Sequence, residues 1–519
     1  MEKILYTPNR NTGDYNFVMA YPAKEEFALS SLGYMWLYKI ADTFDGVNAT
    51  RVSEDFPEFT FKKTDSVAFS LSFDFDFTGV FKILGKNNIP FFSAERGDDC
   101  PLIFAGGPVI TTNPRPYDDI FDFMMIGDGE DTFAEVLKIL KRKEDKKTCL
   151  ENLLKLEGIY IPQKSKKVQK KTSSLNEVIY TPIISDKSYF KDTFIVELQR
   201  GCMNRCAFCT ASYLNLPFRS YAYEKIIEAI DLGLEHTNKI ALLGAQISAH
   251  PDFNRIIGYL KNKMDSGINI ELGISSLRTD AITPELIQTL VAGGQKNSTI
   301  AIEAASERLR KFINKNLSNE QIFNAVKICR ENGLRGLKIY SMIGIPNETE
   351  EDIRDFIEIA KELKSQNKGF DITFSFSSFV PKPQTPLERE KREDSKLLEK
   401  KQKFLEKELA KLGIGSKFSS IKWDYWQTVL SRGGSELGKF MVDVYRKGGG
   451  NGGYKSALKE LKIDVSKSIN GFEPDEELPW NFIDNFVSKP QLENEYKRLS
   501  KTINETFQQL AHSLTAFQR

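Results

Sequence analysis

Six short apolar runs recur between residues 194 and 376, each separated from the next by an amphipathic stretch. This alternation restricts the middle of the chain to a fold of repeated β/α units. The runs are 194–198, 239–243, 269–273, 298–302, 337–342 and 371–376. They follow one another at about 30 to 45 residues, the spacing of strand–helix units. Helical patterns fill the gaps at 223–234, 253–264, 284–291, 319–332 and 350–363. Pro284 and Glu285 after Thr283 mark a helix start, and Gly333 after Asn332 marks a helix end. Six such units predict a (β/α)6 partial barrel over 191–387, with functional groups at the strand C-termini.

Residues 1–150 also alternate, with strands predicted at 16–20, 66–71, 102–105 and 121–126 and helices at 29–41 and 129–140. Continuous apolar runs are what buried parallel strands require, so a Rossmann-like α/β domain is expected. Gly106-Gly107-Pro108 and Gly127-Asp128-Gly129 follow two of its strands, where doubly wound sheets bind ligands. Tight turns alone would also account for those glycines. Residues 151–190, with the basic run Lys164 to Lys171, read as a surface connection. Residues 388–519 read as a mainly helical C-terminal region. It opens with a helix at 395–412 stopped by Gly413, and Gly448 to Gly453 is expected to be a mobile loop.

Charge and composition remove other classes. The 519 residues carry 72 Lys+Arg and 71 Asp+Glu, a formal net charge of +1. Nucleic-acid binding is not indicated by such a balance. No run approaches the roughly 20 apolar residues that span a bilayer, and the opening Met1-Glu2-Lys3-Ile4 lacks a secretory pattern. A soluble cytoplasmic protein without a membrane partner is expected. With only His236, His250 and His512 in the chain, histidine catalysis has little to work with.

Of six cysteines, Cys100, Cys149 and Cys329 stand alone, while Cys202, Cys206 and Cys209 crowd into one segment directly after the first barrel strand. That is the pattern of an intracellular metal site and not of a disulfide framework. The spacing C-x3-C-x2-C lets one loop hold three corners of an iron–sulfur cubane. A [4Fe–4S] cluster normally takes four cysteines, so the missing local fourth would leave one iron open to a non-protein ligand. Structural zinc wants two ligand pairs, and no suitable second pair follows. Three buried core cysteines would not explain this spacing after Gly201.

Together with Phe208 before the last cysteine, this segment resembles the signature of the radical S-adenosylmethionine (radical SAM) superfamily. The resemblance implies a [4Fe–4S] cluster whose open iron chelates SAM, reductive cleavage to a 5′-deoxyadenosyl radical, and an electron donor such as flavodoxin or ferredoxin. It also implies SAM contacts at later strand ends. Gly244-Ala245-Gln246 stands where the superfamily has Gly-Gly-Glu, a departure that backbone carbonyls tolerate. Ser275-Ser276-Leu277-Arg278 follows the third strand. After the fourth, Glu303 would hold the ribose and Arg308 a carboxylate; as isolated residues the two would pass for a surface ion pair. Ile345 in Met342-Ile343-Gly344-Ile345-Pro346 would pack on adenine, and Phe379 to Pro383 resembles the closing loop.

The N-terminal segments Phe69 to Phe73, Ala105 to Pro108, Asn113-Pro114 and Ile126 to Glu130 resemble a cobalamin-binding-like domain fused to such barrels. Leu478 to Asp484 with Val487-Ser488-Lys489 resembles the tail of one poorly characterised subfamily of these fusions. The Asp-x-His-x-x-Gly element that supplies an axial histidine to cobalamin is missing, since no histidine precedes His236. Cobalamin-assisted methyl transfer therefore stands beside a cofactor-free N-terminal domain, and a non-catalytic iron–sulfur or zinc scaffold is the rival outside enzymes. A methylthiotransferase reading is weaker, because this region offers only Cys100 and Cys149 for a second cluster. The substrate and any catalytic acid or base are not legible.

Overall fold

Parallel strands buried on both faces build the first sheet. In the computed structural model, which describes residues 2–9, 13–501 and 503, Phe17, Val18 and Ala20 of the strand Tyr15–Tyr21 are fully buried. Burial on both sides is why the sequence there is continuously apolar. The chain divides into two units: Met1–Glu197 with Val429–Ser468 and Asp475–Phe486, and Leu198–Thr428 with Ile469–Pro474 and Val487–Arg519. His512 lies outside the described residues.

In the first unit the sheet order is Val47–Ser53, Tyr15–Tyr21, Ser66–Ser70, Leu102–Gly106, Phe123–Met125 and Ile159–Tyr160. The first five strands are parallel and the last is antiparallel. Numbered along the chain this is 2-1-3-4-5-6, a doubly wound order whose switch point lies between Tyr15–Tyr21 and Ser66–Ser70. Two of its elements were not legible: the edge strand Val47–Ser53, which is only half-buried over Asn48 to Arg51, and the helix Phe77–Lys86.

The strand-end glycines serve the chain itself. A Cβ on Gly107 (φ +103°) would lie 2.5 Å from the Leu71 carbonyl oxygen, and one on Gly127 (φ +105°) 2.1 Å from that of Lys171. Both glycines therefore admit backbone, which is the tight-turn reading of these residues. Residues 151–190 are more than a surface connection. Ile159–Tyr160 extends the sheet, Ile183–Ser185 pairs antiparallel with Glu2–Ile4, and Lys171 bridges to Gly127.

Part of the expected C-terminal region also folds into this unit. Tyr445, in the helix Leu437–Arg446, packs its ring 5.7 Å from Phe81, and the Asn113 side-chain amide donates to the carbonyls of Ser431 and Gly433. The glycine-rich stretch is not the loop it was expected to be. Only Gly448 and Gly449 take left-handed turns, at φ +84° and +68°. Asn451–Leu461 is a helix, held by the buried Tyr454 and Ala457.

The second unit carries the β/α array. Lys239–Leu243 pairs parallel with Glu271–Ile274, and Asn297–Glu303, Gly336–Ile343 and Asp371–Ser378 pair parallel in turn. A parallel bridge from Leu277 to Ile300 links the two sets. The strand Thr193–Glu197 precedes them, one residue from the predicted bounds. Helices Tyr223–Leu234, Phe253–Asp265, Pro284–Ala292, Asn319–Glu331 and Glu350–Gln366 fill the intervals. Thr283 caps one helix, and Ser318 and Thr349 form capping boxes on two others.

Beyond the six predicted units, the helix Ser395–Lys411 leads to Gly415–Phe418, which adds a further parallel strand beside Asp371–Ser378. The expected C-terminal region thus begins with one more β/α unit. Among the described residues no helix is long and apolar enough to cross a membrane.

Candidate metal centre

The cysteine loop begins where Leu198 donates its N–H to the Leu243 carbonyl at 2.8 Å. Gly201 then reverses the chain at φ +82°, and a Cβ there would come within 2.6 Å of the Asn215 carbonyl oxygen. Only glycine fits that close approach. Cys202 and Cys206 are buried and Cys209 is half-buried. The loop backbone is clamped from outside: Asn314 donates its side-chain amide to the carbonyls of Asn204 and Arg205, each at 3.0 Å. The Ala207 N–H donates to Ile313 O at 2.9 Å, and the Tyr213 hydroxyl to Arg205 O at 2.9 Å.

Burial pushes the Cys206 thiol up to about 12, helped by the charges of Cys209 and Glu303, while Lys315 and Arg278 pull it down. Burial raises Cys209 as well, against hydrogen bonding from Ser212. Cys206 and Cys209 therefore lie in a low-dielectric site, with the cations of Lys315 and Arg278 acting on Cys206. Among the described residues no three His, Cys, Asp or Glu groups converge closely enough for a single metal ion. A cubane, with an iron at each corner, asks for thiolates spread wider than a mononuclear site does. Three thiols on one loop are the donor set such a cluster takes, and coordination would strip the protons that burial holds on Cys206 and Cys209.

The later strand ends supply the surroundings. Glu303 closes its strand at φ +67°, beyond a register shift between Ala301 and Glu303. A left-handed non-glycine residue there costs on the order of 1–3 kcal/mol, which such sites tolerate for function. Its carboxylate lies 3.1 Å from Lys315 Nζ, with both side chains largely buried. Arg278 donates to the Lys315 carbonyl at 3.1 Å and pairs with Asp280 at 2.6 Å.

Phe208 and Ile345 come together in one apolar cluster with Ala207, Met342 and Phe379. Behind Gly244 and the exposed Ala245, the side chain of Gln246 turns toward the loop: Cys202 Sγ lies 3.4 Å from Gln246 Oε1 and 3.4 Å from Asn204 Nδ2. Ser276 is exposed after the third strand of the array.

Arg308 does not join this group. It pairs with the buried Asp352 in the first turn of the helix Glu350–Gln366 and donates to Asn347 O at 3.0 Å. Asp352 also accepts from Ser306 Oγ at 2.6 Å. The pair thus ties one β/α unit to the next.

Sequence reasoning missed Asn314, Lys315 and the Gln246 side chain. The first two sit in Asn314-Lys315-Asn316, whose asparagines both take left-handed φ, +55° and +50°. Two asparagines flanking a lysine just after a helix were the available signal for a tight turn. The C-terminal helix at 489–501 was missed too. Its Glu495 pairs with Arg205 at 3.2 Å, and its Leu499 joins the Phe208 cluster.

Comparison with known proteins gives the chain's relatives. The family model described as "Radical SAM superfamily" matches residues 196–393, and "Radical SAM proteins, N-terminal" matches 56–162. "Uncharacterized protein MJ0966" of Methanocaldococcus jannaschii is 30% identical over 387 residues, covering 73% of this chain and 80% of that protein. "Uncharacterized methyltransferase PH0819" of Pyrococcus horikoshii is 27% identical over 288 residues, 54% of this chain and 62% of that protein. Among solved structures, the cobalamin-dependent S-adenosylmethionine radical enzyme OxsB, with aqua-cobalamin and S-adenosylmethionine bound, superposes with a TM-score of 0.53 at 14% identity. That match covers 97% of this chain and 80% of OxsB, and shares the fold.

Proposed function

The chain belongs to the radical SAM superfamily, and on that premise we propose that Cys202, Cys206 and Cys209 ligate three irons of a [4Fe–4S] cluster and leave the fourth to SAM. Bound there, the cluster supplies the electron that splits the sulfonium of SAM into methionine and a 5′-deoxyadenosyl radical. The observation that carries the reading is the loop itself: three thiols presented at a strand end, backbone-clamped by Asn314 and faced by Lys315 and Arg278.

The chain's own residues then hold SAM. Glu303, oriented by Lys315, accepts from the ribose hydroxyls. Phe208 and Ile345 form the apolar wall for adenine, Gly244 and Ala245 offer carbonyls to the amino group, and Ser276 adds a hydroxyl. Lys315 and Arg278, the cations that act on the Cys206 thiol, keep N–H donors beyond their contacts with Glu303 and Asp280 and would take the methionyl carboxylate, whereas Arg308 lies against Asp352. In this reading residues 191–387 are the catalytic core, served by a one-electron donor of the flavodoxin or ferredoxin class. Low-potential chemistry and six unpaired cysteines support a cytoplasmic location.

Cobalamin is the cofactor named for OxsB, and the doubly wound order of the first unit supports a crevice at the Ser70–Phe73 strand end. Gly107 and Gly127 are filled by the chain's backbone, and the sequence of the first unit holds no histidine to serve as an axial ligand.

The test is Cys206→Ala in anaerobically reconstituted protein. Iron content and 5′-deoxyadenosine formation with a reductant should disappear together. Full iron content with full cleavage would sink the assignment.

A further inference from the structure

The sheet of the second unit has two unlike faces. Ile300, Ile339, Phe374 and Phe376 fill one of them, where both phenylalanines stand edge-on to Phe356 of the helix Glu350–Gln366. Strand alternation turns their neighbours to the concave face. Register sets Thr299, Lys338 and Thr373 in one row, and Ala301, Tyr340, Ser375 and Lys417 in the next row toward the strand C-termini.

Closed eight-stranded β/α barrels pack the inside with branched apolar layers. Here hydroxyls and two ammonium groups take those places, and Tyr340 remains 40% exposed. Lys338 Nζ stands 4.7 Å over the Tyr340 ring and 3.4 Å from its hydroxyl. Among the described residues neither Lys338 nor Lys417 has a carboxylate within ion-pair distance. Glu303, past the register shift at its strand end, is held by Lys315, and Asp371 lies at the opposite end of the sheet beside Gly336.

Two cations without a counter-charge beside an accessible aromatic ring suit an anion carried on a flat or apolar body. We propose that the substrate of the radical chemistry is an elongated small molecule with an anionic end, phosphate or carboxylate, held by Lys338 and Lys417 over Tyr340. Its reacting carbon then lies two to three strand residues nearer the cysteine loop, about 7–10 Å from that end. The assignment rests on the radical SAM reading of the loop and adds to it the charge and length of what is bound.

The experiment titrates cluster-loaded protein, with SAM present, against three probes that share one ring: 1-naphthyl phosphate, 1-naphthoate and 1-naphthylmethylamine. Fluorescence anisotropy reads the binding. The expected result is a single site that favours the anions over the cation by about tenfold or more, and the tighter of the two anions tells phosphate from carboxylate. Lys338→Gln with Lys417→Gln should abolish that preference, and Lys338→Arg with Lys417→Arg should keep it. Equal affinities for the three probes, or a preference that survives the double Gln variant, overturns the assignment. Iron content and SAM cleavage without substrate are measured on the same samples. If the wild-type protein holds no cluster, the radical reading fails and takes this one with it. With the cluster and cleavage intact and no charge preference, only the anionic substrate fails.

Discussion

Removing the guanidinium of Arg308 separates a structural role from a ligand-binding one. Arg308→Met keeps the side-chain length and removes the charge, leaving Asp352 without its cation in a site where the two side chains are 8% and 5% exposed. Breaking a buried pair from one side costs about 3–5 kcal/mol. Asp352 would keep three donors, Ser306 Oγ at 2.6 Å, the Thr349 N–H at 2.7 Å and Thr349 Oγ1 at 2.8 Å. The lower end, about 3 kcal/mol, therefore applies. At about 2–4 °C per kcal/mol for a unit of this size, melting should fall by about 6–12 °C. SAM affinity and iron content per folded chain should stay at wild-type values. Thermal unfolding by circular dichroism and equilibrium dialysis of SAM on reconstituted protein measure the two arms. Arg308→Met with Asp352→Leu should recover most of the lost stability, because no charge is then stranded. An unchanged melting temperature with SAM affinity down about tenfold would refute the reasoning and return Arg308 to the ligand.

Two further outcomes follow from local geometry. Gly201→Ala places a methyl group 2.6 Å from the Asn215 carbonyl oxygen at φ +82°. It should lower stability by about 1–3 kcal/mol and reduce the iron retained through desalting, and normal values of both would contradict the tight-turn argument. Burial raises the Asp76 carboxyl from 3.8 to about 6, against hydrogen bonds from the Ser72 and Phe73 N–H groups. The folded chain thus holds a proton that the unfolded chain has released, and stability should fall as pH climbs from about 4 to 6. Asp76→Asn should flatten that part of the melting-temperature profile, and parallel profiles would speak against it.

The β/α array was legible because its strands are buried on the helix-facing side and its helices carry their own caps. Lys239–Leu243 and Tyr223–Leu234 fall on the predicted residues. Val47–Ser53 escaped because an edge strand buries little, so Asn48, Thr50 and Arg51 break the apolar run. Gly415–Phe418 escaped for a similar reason: its residues Gly-Ser-Lys-Phe pair only on one side. At the centre, the cysteines stand out by spacing, which a single loop must keep. The Arg308–Asp352 contact was not legible because a motif position fixes where a residue starts and not which neighbour its long side chain reaches, and Asp352 lies 44 positions further on. Lys315 was invisible for the converse reason, since nothing local distinguishes a lysine that will face a carboxylate from one that will face water.

The hold of the C-terminal helix on the cysteine loop also fixes an order of events during synthesis. Arg205 and Phe208 leave the ribosome long before Glu495 and Leu499, the residues that close over them. At about 5–20 residues per second, that interval is roughly 15–60 s. In its later part, once residue 314 has emerged, the loop can already be clamped by Asn314 while its outer side lacks the helix. Iron and sulfide can be delivered to the nascent chain in that window, and a chain arrested before residue 495 would keep the loop open to oxidants for its whole lifetime.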